Sequence, residues 1–564
     1  MDFLPKSIVC FREGYTRDGV TRDVIAGVVV GVVALPLALA FAIASGVPPE
    51  RGLYTAIVAG FLISLLGGSR VQIGGPTGAF VVIVYGIVHK YGYEGLVIIS
   101  VLAGAFLVIL GLAKLGGLIK FIPYPVVTGF TSGIAVIIFS SQIKDFFGLK
   151  MGEVPPEFMD KWVAYAEKIG TIHLPTTLIA TGTLIVLLVW PRFSKMVPSP
   201  FVAMLLATAV VQLFDLPVET IGSRFGGVPS SLPMPRWPDI PWHQWKQFIS
   251  PALTVALLAA IESLLSAVVA DGMIGTRHKS NMELVAQGVA NIFSPIFGGI
   301  PATGAIARTA TNIRSGGRTP LAGMVHAVTL LLILLMLGRW AAMVPLAALA
   351  AILVVVAFHM SEWQSFAGLL RAPRSDLVVL LLTFGLTIFV DLTVAVQVGI
   401  VAAALLFMRR MAEITNIEGL TAEVTDRTAE DPDEITQVRK KKRMLHGREI
   451  PPGIDVYEVN GPFFFGVADK LKDVMSELGR PPRVFILRMR NVPAIDATGI
   501  HALDQLVKKS RHEGTIVFFT EVREQPARAL ERSGKAGFEI FGTFEEALDR
   551  GIEAMGGKSV SSRA

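Results

Sequence analysis

The sequence predicts a polytopic α-helical membrane protein followed by a soluble α/β domain. Three observations carry this. Of 564 residues, 52% are apolar and 17% charged, against roughly 25% charged in ordinary soluble proteins, and the mean hydropathy is +0.59. So few charges cannot cover a soluble surface of this size, which excludes a single large soluble enzyme, a disordered chain and a fibrous repeat. The apolar residues gather into a near-continuous series of segments over 24–410, whereas dense charge and alternation return over 411–564. The single cysteine, Cys10, excludes intramolecular disulfides and Cys-based zinc or iron–sulfur sites.

A bilayer crossing takes about 20 apolar residues. Segments 24–45, 93–113, 125–142, 175–190, 250–270, 319–338, 343–359, 376–391 and 393–408 meet that length or approach it, and 52–67, 200–213 and 283–297 are shorter candidates. Two more, beginning near Thr77 and Gly304, are too short to cross alone, and each follows a Gly/Pro-rich stretch. Counted as broken helices they bring the total to about fourteen passes; without them it is about twelve. Either count is even, so both termini lie on one side. Basic residues recur at every second connection, including Arg12, Arg17 and Arg22, then Arg70, Arg277 and Lys279, Arg314 and Arg318, and Arg409 and Arg410. That bias places the termini and the soluble domain in the cytoplasm of a plasma-membrane protein, the inner membrane in a bacterium. The pI near 9.3 then reflects cytoplasmic loops rather than nucleic-acid binding. The first apolar segment, about 22 residues long, exceeds the core of a cleaved signal. The expected layout is a transport domain over 1–410, a linker over 411–450 with an acidic run 430–434 and a basic run 439–443, a soluble domain over 451–556 and a loose tail over 557–564.

An internal repeat marks the centre of the membrane domain. Gly74-Gly75-Pro76-Thr77-Gly78-Ala79 returns as Gly298-Gly299-Ile300-Pro301-Ala302-Thr303-Gly304-Ala305. If each half has seven passes, the second half is inverted relative to the first. Interrupted apolar segments at matching places in two halves point to a transporter binding site. A half-helix starting in mid-membrane carries unpaired N–H groups and the positive end of its dipole, so two facing each other form an anion site made of backbone. Gly78 and Gly304, lacking side chains, let a ligand approach closely; tight helix packing through small residues is the alternative reading. Arg308 lies one turn after Gly304, and Glu262 sits in the apolar run 259–266 with Ser266 one turn on. Burying either charge costs a few kcal/mol, so such residues mark a substrate or ion path, or else a structural Glu262–Arg308 pair. Asp271 and Asp391 fall at segment ends and read as interfacial, and His326 as a helix-contact residue or a proton relay.

The runs Pro36-Leu37-Ala38-Leu39-Ala40-Phe41-Ala42, Gly52-Leu53-Tyr54, Gly75-Pro76-Thr77-Gly78-Ala79 and 298–309 together resemble the sulfate permease family of anion transporters, over about residues 15–555. The resemblance implies fourteen segments in two inverted repeats of seven, a core and a gate domain, and a homodimer. It implies an anion site from Thr77, Gly78 and Ala79 of the third segment, Ala305, Ile306, Ala307 and Arg308 of the tenth, and Leu37 and Phe41 of the first. Many relatives have glutamine where this chain has Leu37. Sodium-coupled bicarbonate members have aspartate at the position of Glu262 and a hydroxyl at that of Ile306, so the departures here favour proton-coupled members, in which Glu262 takes the proton beside Ser266. Ile261-Glu262-Ser263-Leu264-Leu265 and Phe407-Met408-Arg409-Arg410 are closest to bacterial members acting on C4-dicarboxylates.

In the soluble part, 454–459, 484–489 and 515–519 read as strands and 467–478 and 500–513 as helices. Asp496-Ala497-Thr498-Gly499 resembles the signature loop of a STAS domain (sulfate transporter and anti-sigma antagonist), which implies regulation through Asp496 and Thr498 and a cytoplasmic protein partner; helix capping is the plainer reading. Gly556-Gly557-Lys558-Ser559 lacks the first glycine of a phosphate-binding loop, so ATP drive has no support. No cofactor, metal cluster, nucleophile–base set or nucleic-acid partner is expected. The expected function is secondary active transport of a dianion such as sulfate or a C4-dicarboxylate by proton symport. The alternatives are sodium-coupled bicarbonate transport, exchange or channel activity, and STAS-linked signalling.

Overall fold

The computed structural model of the chain describes residues 3–117, 123–152, 154–194, 197–237, 245–390, 392–421, 444–445, 448–464, 467, 470, 481–534 and 537–556. The chain divides into two compact units, Met1–Ala403 and Ala404–Ala564. Among the described residues, fourteen helical segments follow the predicted order. They are α1 (Arg17–Ala44), α2 (Pro49–Leu66), α3 (78–91), α4 (93–112), α5 (Tyr124–Ser141), α6 (Leu174–Val189), α7 (Ser199–Leu213), α8 (Trp245–Ile274), α9 (Ser280–Ile296), α10 (Ile306–Arg314), α11 (Pro320–Ala341), α12 (Leu346–Met360), α13 (Arg374–Phe389) and α14 (Leu392–Ile414). The helices α3 and α4 form one run, Gly78–Leu112, broken at Gly92, whose φ of 69° and ψ of 179° leave the helical region. Nine of the described helices are long and apolar enough to span a bilayer; α10, with nine residues, is not.

Two groups of helices form. In the first, α1–α4 pack with α8–α11, and in the second, α5–α7 pack with α12 and α13, which α14 joins by seating Gly399 against Thr383 and Val126. These are the core and gate of the predicted fold. Small residues set the core's spacing, as expected where lipid supplies no hydrophobic drive between helices. A Cβ on Gly104 of α4 would lie 2.5 Å from the Gly288 carbonyl oxygen of α9, and one on Gly288 would lie 2.6 Å from that of Gly104. A Cβ on Gly52 of α2 would sit 1.9 Å from the Ala38 carbonyl oxygen of α1. Gly52→Ala is therefore expected to lower the melting temperature in detergent, at a cost of about 3 kcal/mol of overpacking. Gly182→Ala in α6, where a Cβ meets nothing within 4 Å, is expected to be neutral or slightly stabilising.

Two buried carboxylates escaped the sequence reading. Asp23 of α1 accepts the Arg318 and Thr319 N–H groups at 2.7 and 3.3 Å, closing the start of α11. Glu283 of α9 accepts the Gly68 and Ser69 N–H groups at 2.8 and 3.1 Å. Both satisfy loop backbone that would otherwise be buried unpaired.

The C-terminal unit holds a five-stranded sheet of β3 (Asn416–Gly419), β4 (Ile454–Asn460), β5 (Val484–Asn491), β6 (Ile516–Thr520) and β7 (Glu539–Phe541), in that spatial order. The strands β4–β7 run parallel, and β3 pairs antiparallel with β4. The helices are α15 (Ala497–His512), α16 (Glu524–Arg532) and α17 (Phe544–Ala554). Residues 484–489 are buried throughout, because separate apolar clusters cover the two faces of the sheet. Arg488 keeps its buried charge by pairing with Glu521 at 2.6 Å. The linker expected over 411–450 needs correction, since β3 lies inside it and extends the sheet. A four-residue edge strand with mostly exposed side chains carries no apolar alternation to read. Of the expected helix 467–478, only Val467 and Lys470 are described, and both charged runs of the linker, Asp391 and the tail from 557 lie outside the described residues.

Candidate functional site

The two repeated motifs meet as antiparallel strands. In the membrane unit, Gly74 pairs with Gly304 and Gly75 with Thr303, forming a two-residue ladder. The Ala305 N–H donates to the Ile73 carbonyl at 2.8 Å, and the Ile73 N–H donates to Thr309 Oγ1 at 3.0 Å. Irregular backbone at membrane depth is tolerated because it is buried in protein and paired in this way. Directly after the ladder, α3 starts at Gly78 and α10 at Ile306. Their N-cap residues, Thr77 and Ala305, are extended and supply no side-chain cap. The first-turn N–H groups and positive dipole ends of two half-helices are thus placed beside one short ladder.

One helix, α8, holds both motifs. Thr77 Oγ1 donates to Glu262 Oε2 at 2.8 Å. At the equivalent position, Thr303 Oγ1 pairs with Ser263 Oγ at 2.7 Å and donates to the Ala259 carbonyl at 3.2 Å. Ser263 Oγ also accepts the Gly304 N–H at 3.0 Å. The two halves therefore differ at the matched threonines: one contacts a carboxylate, the other a neutral hydroxyl.

Arg308 crosses in the opposite direction. Its Nη2 donates to the Pro76 carbonyl at 2.7 Å, while Nη1 is buried with no partner among the described residues. The side chain is only 2% exposed. The structural Glu262–Arg308 pair weighed from the sequence does not form among the described residues; each group binds its own partner from the first motif.

The remaining expected residues fall into two sets. Leu37 and Phe41 share an apolar cluster with Ala79 and Phe80, so α1 contributes hydrocarbon where many relatives carry an amide. Ala305 is buried, and Ile306 and Ala307 are exposed at the start of α10. Ser266 turns away from Glu262 and donates to Thr309 Oγ1 at 3.3 Å; it supports α10. The absence of a side chain at Gly78 and Gly304 is also used by neighbouring protein. A Cβ on Gly304 would lie 1.7 Å from Gln72 Nε2, and one on Gly78 would lie 2.5 Å from Met360 Sδ. Gln72 and Met360 were missed because nothing in their local sequence distinguishes them, whereas Ser263 and Thr309 lie inside the runs that carry the family resemblance but drew no role from the sequence. His326 is fully buried with both ring nitrogens unpartnered. Its ring lies 3.5 Å from where a Cβ on Gly60 would stand, a helix contact of α11 with α2.

In the C-terminal unit, Asp496 caps α15 by accepting the Gly499 N–H at 2.7 Å. Thr498 is exposed in the first turn and caps nothing. Asp496→Ala is expected to cost about 1 kcal/mol of stability and Thr498→Ala almost none, as read from thermal unfolding of the full-length protein.

Discontinuous helices meeting at mid-membrane in two related halves define a membrane transporter. The chain belongs to the sulfate permease family of anion transporters, whose family model matches residues 20–383, and a STAS domain matches 448–547. It is similar to "Putative sulfate transporter YvdB" of Bacillus subtilis, at 43% identity over 93% of this chain and 95% of that one. It is also similar to the bicarbonate transporter BicA of Picosynechococcus, at 33% identity over 90% of each chain. Among solved structures, the transmembrane domain of a cyanobacterial BicA matches with a TM-score of 0.61 at 32% identity, over 69% of this chain and 98% of that one. Murine Slc26a9 in its inward-facing state matches in fold with a TM-score of 0.83 at 18% identity, over 98% of this chain and 94% of that one. The chain is thus a multi-pass membrane transporter and not an enzyme.

Proposed function

We propose that the protein is a proton-coupled symporter of a compact dianion, sulfate or a C4-dicarboxylate, with both termini in the cytoplasm. The anion occupies the space between the starts of α3 and α10, met by their N–H groups and by the spare Nη1 of Arg308. The carrying observation is the Thr77 Oγ1–Glu262 hydrogen bond of 2.8 Å, which puts a protonatable carboxyl at the first residue of the half-helix on which the anion rests. A dianion beside one guanidinium leaves the site negative; a proton on Glu262 removes that excess, so anion and proton load together.

The similarity to the bicarbonate transporter BicA supports a second substrate reading, bicarbonate, which the sequence alternative couples to sodium. A sodium ion takes several hard oxygen ligands, as other hard cations do, and Ile306 at the start of α10 offers none. Uptake by proteoliposomes of labelled sulfate, succinate and bicarbonate, with imposed proton or sodium gradients, separates the readings. Accumulation of a dianion driven by inward protons supports symport; sodium-driven bicarbonate uptake indifferent to pH replaces it.

We assign assembly and regulation to the STAS domain, with homodimers as the working unit and Thr498 as the regulatory hydroxyl. All proposed anion ligands precede residue 310. Removing 450–564 is therefore expected to change oligomeric state or maximal rate while preserving the order of preference among anions, as measured by competition of unlabelled anions against labelled substrate.

A further inference from the structure

A cavity of mixed polar and apolar lining lies near the end of α1, on the side of the membrane unit away from that helix's start. Its volume is about 1070 Å³, and it opens among the 81–91 stretch of α3, the end of α5, the end of α13 and two loop helices, Ile143–Phe147 and Phe158–Lys168. Four cationic side chains line it, Lys90, Lys144, Lys161 and Arg224, against two carboxylates, Asp145 and Glu157. Arg224 and Asp145 neutralise each other at 2.8 Å. Lys161 differs from the rest. It is only 3% exposed, yet no carboxylate lies within ion-pair distance of it among the described residues. One turn on, on the same helix face, the Tyr165 hydroxyl is buried without a partner among the described residues. A lysine on a loop helix could reach water freely, and burying it unpaired costs several kcal/mol. Such an arrangement is retained where an anion supplies the missing charge.

One side chain, Ile138, touches both the cavity and the start of α3. Ile138 lines the cavity, and its Cδ1 lies 3.5 Å from where a Cβ on Gly78 would stand. One layer of side chains separates the cavity from the start of α3.

We propose that this cavity is an antechamber in which Lys161 docks the oxyanion before it passes Ile138 to the transport site. The ligand class is a compact oxyanion or dicarboxylate, and the inference rests on the transport reading given above. The titratable groups that line the cavity with Lys161 are Tyr85, His89 and Lys90 from α3, Lys144 and Asp145 from helix Ile143–Phe147, Arg224 from the loop helix Ile221–Phe225, and Glu157 at the N-cap of the Lys161 helix; Tyr165 lies one turn on in that helix. Burial lowers the Lys161 ammonium to about 8. The docking charge is therefore present below pH 8 and is lost as pH rises through that value.

The test compares uptake of sulfate and succinate by intact cells with uptake by inverted vesicles. Lys161→Gln is expected to raise the half-saturation concentration about fivefold for anion presented at the cavity face, and the rise is confined to that face. In wild type, affinity at that face weakens between pH 7.5 and about 9 more than at the opposite face, through the Lys161 transition; Lys161→Arg removes that difference between the faces, because guanidinium stays charged. Acetylation of Lys161 by acetic anhydride at pH 8, read by mass spectrometry in the full-length protein, should be slowed by millimolar sulfate or succinate. Unchanged half-saturation in Lys161→Gln together with no protection overturns the antechamber, whatever Arg308→Ala does. If wild type moves none of the anions, the transport reading fails, and the protection assay still decides whether Lys161 binds them.

Discussion

Arg308→Ala is expected to raise the half-saturation concentration for anion steeply, or to abolish uptake, in a protein that still folds and inserts. The guanidinium has one nitrogen committed to the Pro76 carbonyl and one buried nitrogen free. Truncating one member of a buried charge pair costs about 2–5 kcal/mol, so the half-saturation concentration should rise by roughly 30-fold to several thousand-fold. Folding should survive, because the hydrogen bond lost to Pro76, worth about 1.5–3 kcal/mol, is offset by removing an unpaired buried charge. Arg308→Lys should be intermediate: one ammonium cannot both hold the Pro76 carbonyl and present a second donor to the anion. The measurements are initial rates in proteoliposomes beside the melting temperature in detergent. Wild-type affinity in a well-folded Arg308→Ala protein would remove Arg308 from the anion site.

Glu262→Gln is expected to uncouple the transporter. The amide mimics the protonated carboxyl in shape and charge, and its oxygen can still accept from Thr77, so the half-helix start keeps its anchor. Such a protein should bind and exchange anion across equal concentrations but lose accumulation driven by inward protons, with concentration ratios falling to about one. Counterflow exchange and gradient-driven uptake in the same vesicles separate these properties. Thr77→Val, which removes the donor but keeps the carboxyl, should retain coupling with weaker affinity. If Glu262→Gln still concentrates substrate under a pH gradient, the proton travels by another group.

The architecture was legible in the residues to an unusual depth, because lipid forbids most alternatives. A spanning segment must satisfy its own backbone and present hydrocarbon outward, so apolar runs translate directly into helices α1–α14. The broken pair was legible through the repeated Gly-Gly, Pro and Thr-Gly-Ala pattern, which survives because both motifs meet the same steric demand in one ladder. The soluble unit was legible where strands are buried on both faces, as at 484–489, and illegible at β3, whose four edge residues carry no pattern.

What the sequence determined by itself is the membrane class and the two halves, and it singled out Thr77, Glu262 and Arg308 as candidate site residues. Unpaired charges and interrupted helices in hydrocarbon are costly wherever they fall, so their presence is informative without coordinates. What only the tertiary structure decided is who partners whom. It separated Glu262 from Arg308 as an ion pair and gave Thr77 to the one and Pro76 to the other. It assigned Ser266 to Thr309 and filled the space beside Gly78 and Gly304 with Met360 and Gln72. It also buried Lys161, an ordinary loop lysine by its neighbours in sequence, against a cavity wall. The hydrogen bonds among them join residues as many as 232 positions apart. They depend on how two helix groups pack, and side-chain contacts across such separations leave no periodicity in the chain for a reader to find.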